Sequence, residues 1–234
     1  MFEGFSQYVL AKPYFNWLLQ GVFMTLTIAC ITTLLSCALG FSAALCRNSK
    51  RKILSAPAFA YIHFFRATPV LPLLLLIVIG GPEIYKQLTG NEWIRNSEFI
   101  LFILILSCNT SAYLAEILRS GIRSVPNEQI EIARTLGLTA NQTFIRITLP
   151  IAIRVSIYAI GNRLIHNMKN ASLSMALSIN VSYLDILGQA DRIESQTFRW
   201  VEPLLVAAGI YLSLALLLQF LLKRYCNKKL NQAV

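Results

Sequence analysis

The side chains of this chain that could do chemistry are polar groups set in apolar surroundings, and they are few. Between residues 148 and 181, Arg154, Arg163, His166 and Lys169 interrupt a stretch that is otherwise fit for lipid. Elsewhere Arg66, Thr68, Asn109, Ser111, Glu116, Asn162, Asn167, Lys169 and Ser172 fall within long apolar runs or at their ends. Ionisable groups at such depth are costly in hydrocarbon and face a protein interior or a watery cavity. Guanidinium, ammonium, amide and hydroxyl groups suit reversible hydrogen bonding to a polar solute. These nine residues are therefore candidates for lining a solute path. Structural roles stay open beside that one. Arg66 and Glu116 could pair or snorkel to the interface. Asn109 and Ser111 could join helices, and Asn162 and Asn167 could satisfy the charge of Arg163.

Other chemistries find no support in the residue pattern. His63 and His166 are isolated, and neither has a partner at ligand spacing, so no metal site is expected. The cysteines, Cys30, Cys37, Cys46, Cys108 and Cys226, are odd in number and form no C-x-x-C, which argues against a disulfide framework. A membrane-embedded enzyme would need clustered His, Asp or Cys, so no catalytic residue is expected. The chain has no G-x-x-x-x-G-K-[ST] to cradle nucleotide phosphates. Energy for any pumping must come from a partner or from an ion gradient.

The elements that position these groups follow from composition. Of 234 residues, 56% are hydrophobic and 14% charged, against about 25% charged in soluble domains. A spanning helix needs about 20 mostly apolar residues. Such runs are expected at Trp17–Leu45, Ile53–Gly80 (interrupted by His63 and Arg66), Glu98–Leu118 and Pro203–Leu222. The stretch from Thr148 to Val181 is read as a fourth helix inside the bundle, leaving helical geometry around Asn170 to Ser174. Irregular backbone at that depth must line a cavity or pack on protein. The chain opens Met1-Phe2-Glu3-Gly4-Phe5, without a positive stretch before the first apolar run, so a cleaved signal peptide is not expected. With no long external loop, repeat or linker, residues 1–234 read as a single all-α transmembrane domain.

The net charge of +10 bears on orientation. Nucleic-acid binding would gather basic residues on a solvated face, whereas here they cluster between apolar runs. Arg47, Lys50, Arg51 and Lys52 follow the first run. Arg119, Arg123, Arg134, Arg146 and Arg154 follow the third, and Lys223, Arg224, Lys228 and Lys229 follow the last. Those segments hold 13 of the 21 basic residues. The positive-inside rule makes them cytoplasmic, which gives five helices with the N-terminus outside and the C-terminus inside.

Residues 121–150 form the one sizeable loop, and it reads as structured. Ser124, Val125 and Pro126 resemble a helix start, where the missing N–H of proline costs nothing. Helical residues continue through Leu136, and Gly137 is placed to end the helix in the left-handed region. Thr139 and Gln142 have capping-box spacing, predicting a second short helix to Leu149, with Pro150 opening the next membrane segment.

Within that loop, Glu131-Ile132-Ala133-Arg134-Thr135-Leu136-Gly137 followed by Ile147-Thr148-Leu149-Pro150 resembles the E-A-A loop of binding-protein-dependent ABC importer permeases. Ala112-Tyr113-Leu114-Ala115-Glu116 through Pro126 is similar to the polar-amino-acid (histidine, glutamine, arginine) branch. So are Phe65-Arg66-Ala67-Thr68-Pro69 and Asn167-Met168-Lys169-Asn170-Ala171-Ser172-Leu173. The matches are collinear over most of the chain. Ile132 departs from the triplet, Pro72-Leu73 stands where the branch has Gln, and Asn170-Ala171 replaces Asp-Thr.

The resemblance implies a type I ABC importer permease fold in a bacterial cytoplasmic (inner) membrane, moving polar amino acids by alternating access. It implies that Glu128, Glu131, Ala133, Arg134, Leu136 and Gly137 couple to ABC ATPase subunits. Those subunits would bind ATP and Mg, leaving this chain without a cofactor or enzymatic activity. A second permease, identical or paralogous, and a periplasmic or surface substrate-binding protein complete the implied assembly. The alternatives are a permease for another small solute, such as methionine, or an ion-coupled secondary transporter with Glu116 as its acid.

Overall fold

In lipid every backbone N–H and C=O must be satisfied within the chain, so long charge-free runs fold as helices. The computed structural model describes residues 12–91, 97–177 and 183–231, and the described residues are helical without a strand. In order, they form α1 (Lys12–Asn48), α2 (Lys52–Ala67), α3 (Val70–Leu74), a π-helical turn (Leu75–Gly80) and α4 (Gly81–Thr89). There follow α5 (Ser97–Arg123), α6 (Asn127–Thr135), α7 (Ala140–Thr143), a second π-helical turn (Phe144–Thr148) and α8 (Leu149–Lys169). A 3-10 helix (Asn170–Leu177), α9 (Ile186–Thr197) and α10 (Val201–Asn231) complete the chain. Five segments are long and apolar enough to cross a membrane: Pro13–Asn48, Val70–Thr89, Glu98–Arg123, Ala140–Leu177 and Val201–Lys228.

Three expectations need correction. The second span is not one helix, because α2 ends at Thr68, whose backbone is extended (φ −88°, ψ 126°). The ring of Pro69 disfavours helical geometry in the residue before it. The segment that qualifies as a span begins only at Val70. Secondly, no break separates the second loop helix from the fourth span; α7 runs through a π-helical turn into α8 across Pro150. A proline ring clashes with the carbonyl four residues back, here that of Arg146 inside the widened turn. The other π-helical turn stands in the same relation to Pro82, whose fourth preceding residue is Val78. Widening the turn is one way a helix carries proline without ending. Thirdly, the backbone does change at Asn170, but it tightens into a 3-10 helix rather than leaving helical geometry. Residues 178–181 of that expected segment lie outside the described residues.

The described chain divides into two compact units, each assembled from separated stretches. Unit 1 comprises residues 1–34, 69–107 and 165–220; unit 2 comprises residues 35–68, 108–164 and 221–234. Helices α1, α5, α8 and α10 each contribute one part to each unit.

Unit 1 is built on apolar packing. Ile28, Leu74, Val78, Phe102, Leu106 and Leu177 form its main cluster. A second patch joins Leu18, Tyr14 and Trp17 of α1 to Ile193 of α9 and Val206 and Ile210 of α10. Helix α9 has no counterpart in the sequence reading. It is capped by Asp185, which accepts from the N–H groups of Leu187 and Gly188. Gly21 lets α1 reach it, since a Cβ there would stand 2.9 Å from the Cα of Ile186.

Unit 2 packs Ala44, Ile62 and Ala115 together with Tyr61 and Leu118. The caps of its two loop helices match the expectation. Gly137 has φ +84°. The Leu138 N–H donates to Ala133 O (3.1 Å) and the Gly137 N–H to Arg134 O (3.0 Å). That pair of bonds is the Schellman ending of a helix. The Thr139–Gln142 capping box forms with both of its hydrogen bonds.

Candidate functional site

Two places in unit 2 carry the side chains singled out in the sequence. One is the loop helix α6. Ala133 is buried and anchors it, while Glu128, Glu131, Arg134, Leu136 and Gly137 are exposed. Ile132 and Leu136, one helical turn apart, are 59% and 75% exposed. Apolar side chains so far in the open, beside two carboxylates and closed by a Schellman turn, make a rigid knob that a partner can cover. Ile132, the departure from the E-A-A triplet, lies on that outward face.

The other is an open cleft of about 390 Å³ lined by Arg66, Tyr113, Glu116, Ser120, Ser156 and small or apolar neighbours. Helix α5 supplies Tyr113 and Glu116, α2 carries Arg66 in its last turn, and α8 supplies Ser156. The Tyr113 ring organises the cations: the Arg163 guanidinium lies 3.8 Å from its centroid and that of Arg66 5.6 Å. Arg163 also donates to Asn109 Oδ1 (3.0 Å), and Asn109 Nδ2 donates to Phe65 O (2.8 Å). The Nε of Arg163 is buried, and no described atom accepts from it. A guanidinium with a ring face and one amide for company keeps unused donor capacity. Glu116 accepts from Arg119 through both carboxylate oxygens.

The nine path candidates do not gather at one point. Arg66, Thr68, Asn109, Ser111, Glu116 and Asn162 belong to unit 2, and Asn167, Lys169 and Ser172 to unit 1. Arg66 and Glu116 share the cleft. Asn109 bonds the Arg163 that lies over Tyr113, and Asn162 is half-buried on α8. Ser111 is fully buried, bonded to Cys108 O and to Tyr61. Thr68 donates to Phe64 O at the end of α2. In unit 1, buried Asn167 donates to Thr32 Oγ1 at 2.7 Å. Ser172 donates to Lys169 O, and Lys169 is exposed.

The reading of the sequence missed two groups. Tyr113 was legible only as part of a motif, although an aromatic one turn ahead of Glu116 is a ready cation platform. Asp185 gave no signal, lying between apolar runs outside every expected span. It is fully buried and also accepts from Ser174 (3.0 Å) and Tyr211 (2.5 Å).

Residues 36–232 match the family described as binding-protein-dependent transport system inner membrane component. The chain belongs to that family. Among curated proteins, the nopaline transport system permease protein of Agrobacterium fabrum is 38% identical over 85% of this chain and 81% of its own length. The probable glutamine ABC transporter permease protein of Bacillus subtilis is 31% identical over 100% and 97%. A crystal structure of an amino acid ABC transporter superposes with a TM-score of 0.81 at 32% identity, covering 94% of this chain and 98% of that one. The permease therefore has the type I ABC importer permease fold and is a multi-pass membrane protein. It is the permease subunit of an ABC importer for amino acids, a reading favoured over a methionine-type permease or a secondary carrier. Members of its family work with ATPase and substrate-binding partners.

Proposed function

We propose that this permease carries polar amino acids across a bacterial inner membrane, with its N-terminus outside and its C-terminus inside. The observation that carries the mechanism is the α6 knob: a helix held by buried Ala133 and closed at Gly137, with Ile132 and Leu136 exposed between carboxylates. Such a helix transmits a push with little loss in bending. A separate ATPase subunit binds ATP and Mg, receives this knob and drives the spans between their two accessible states. A second permease, identical or paralogous, completes the path, and a periplasmic or surface binding protein delivers the solute.

In this reading the cleft of Arg66, Tyr113 and Glu116, with Arg163 behind the ring, lies along the solute path. The cationic excess there suits a carboxylate, a group every amino acid has. Glu116 is held by Arg119, which disfavours it as the freely titrating site an ion-coupled carrier needs. The names of the relatives point to amino acids and their derivatives as cargo.

The test is uptake of labelled arginine, histidine and glutamine into vesicles holding the permease with its ATPase and binding protein, with and without ATP. ATP-dependent uptake of one of them is expected. Uptake that ignores ATP and follows an ion gradient sinks the proposal. Gly137→Val should then insert normally but lose ATP-driven uptake, because a β-branched residue resists φ near +84°.

A further inference from the structure

Helix α9 ends at an unusual corner. Its C-cap is Phe198, with φ 54° and ψ 26°, the one non-glycine residue with positive φ among those described. The cap itself needs only the backbone, whose N–H donates to Glu194 O at 2.7 Å. Glycine serves that position without strain. A phenylalanine stands there instead, its side chain 88% exposed, and Trp200 two residues on is 65% exposed. Nothing within the described chain repays the strained conformation of Phe198 or the exposure of both rings.

The surroundings say what does. The corner opens directly into α10, whose span begins at Val201. Within unit 1, the start of α1 (Tyr14, Trp17, Leu18) packs through Ile193 against the start of α10 (Val206, Ile210). Both spans therefore begin at one level, and α9 lies at that level. Arg192 stacks on Trp17 at 3.9 Å, and Arg199 reaches Glu202 at 3.4 Å. Aromatic rings beside cations where apolar spans begin are the composition of a membrane–water interface.

We infer that the Phe198–Trp200 corner is an interfacial anchor, inserting both rings at the headgroup level of the lipid and fixing the depth of α9 and α10. The occupant is the lipid surface, not a protein. The inference needs only that the chain spans a membrane, and it stands whichever solute is carried.

The full chain with Trp17→Phe and Trp93→Phe, leaving Trp200 as its one indole, is reconstituted in phosphatidylcholine–phosphatidylglycerol vesicles. Lipids brominated near the headgroup end of the acyl chain should quench Trp200 roughly twofold more strongly than lipids brominated near the methyl end. Acrylamide in the water should quench it less than free indole. Strong acrylamide quenching without bromolipid quenching overturns the inference and leaves the corner free for a soluble protein. Protection from both quenchers also overturns it, placing the rings against another subunit. If the double variant fails to fold, Trp200→Phe in the otherwise unchanged chain tests the same point: the shallow-quenched part of the emission should fall to what Trp17 and Trp93 contribute, and an unchanged shallow-quenched emission overturns the inference.

Discussion

Asp185 in unit 1 and Arg163 in unit 2 are both ionisable groups withdrawn from water, and they are housed in opposite ways. Asp185 is fully buried and accepts from four donors: two backbone N–H groups, a serine and a tyrosine. Its neighbour Ile186 donates to Thr25 Oγ1, which ties the same point to α1. One carboxylate thus joins the 3-10 helix, α9, α10 and, through its neighbour, the first span. Arg163 has one amide oxygen, one ring face and a buried Nε without an acceptor among the described residues. A buried polar group whose valences are filled rigidifies the structure around it, whereas one left partly unfilled needs an explanation in function. The contrast separates a joint from a candidate site.

The largest expected effect breaks the joint. Asp185→Ala strands the Ser174 and Tyr211 hydroxyls and two N–H groups, at a cost of about 3 kcal/mol. Thermal unfolding in detergent should show this as a clear loss of stability, with Asp185→Asn much milder because an amide oxygen still accepts. Equal stability of the alanine variant and the parent would remove the distinction between the two units.

A smaller change sharpens the other side. Arg163→Met nearly keeps the volume and takes one donor from Asn109 Oδ1, so stability should fall by about 1 kcal/mol, less than for Asp185→Ala. ATP-driven uptake should nonetheless fall about tenfold, the equivalent of roughly 1.4 kcal/mol in the barrier. A variant that loses stability and keeps transport would make Arg163 another joint.

The smallest effect concerns the loop. Thr139→Ala removes one half of the capping box and should cost about 1 kcal/mol. It should weaken ATPase stimulation by the assembled transporter while leaving membrane insertion unchanged, as read by stimulation assays and by protease protection of the loop.

Much of this was legible in the sequence for physical reasons. The loop could be read residue by residue because its determinants are local: Gly137 at a left-handed position, and Thr139 and Gln142 three residues apart. The break at Thr68 was equally local, and Pro69 was its signal. The tolerance of Pro150 was not legible, because a helix chooses between ending and widening according to what packs around it. The same holds for the polar candidates. Asn109 and Asn167 look alike in an apolar run, yet one holds a guanidinium and the other bonds a threonine on the first helix.

By itself the sequence determined that this chain lives in lipid, roughly where it crosses, and which loop is built from capped helices. These are properties of composition and of contacts within a few residues, where hydrophobicity, capping and backbone sterics decide. The tertiary structure decided that Tyr113 gathers two arginines, that Asp185 is a joint, and that α9 sits beside the starts of two spans. Those facts depend on which residues far apart in the chain come into contact, such as Ile186 and Thr25, and no local pattern encodes such pairings.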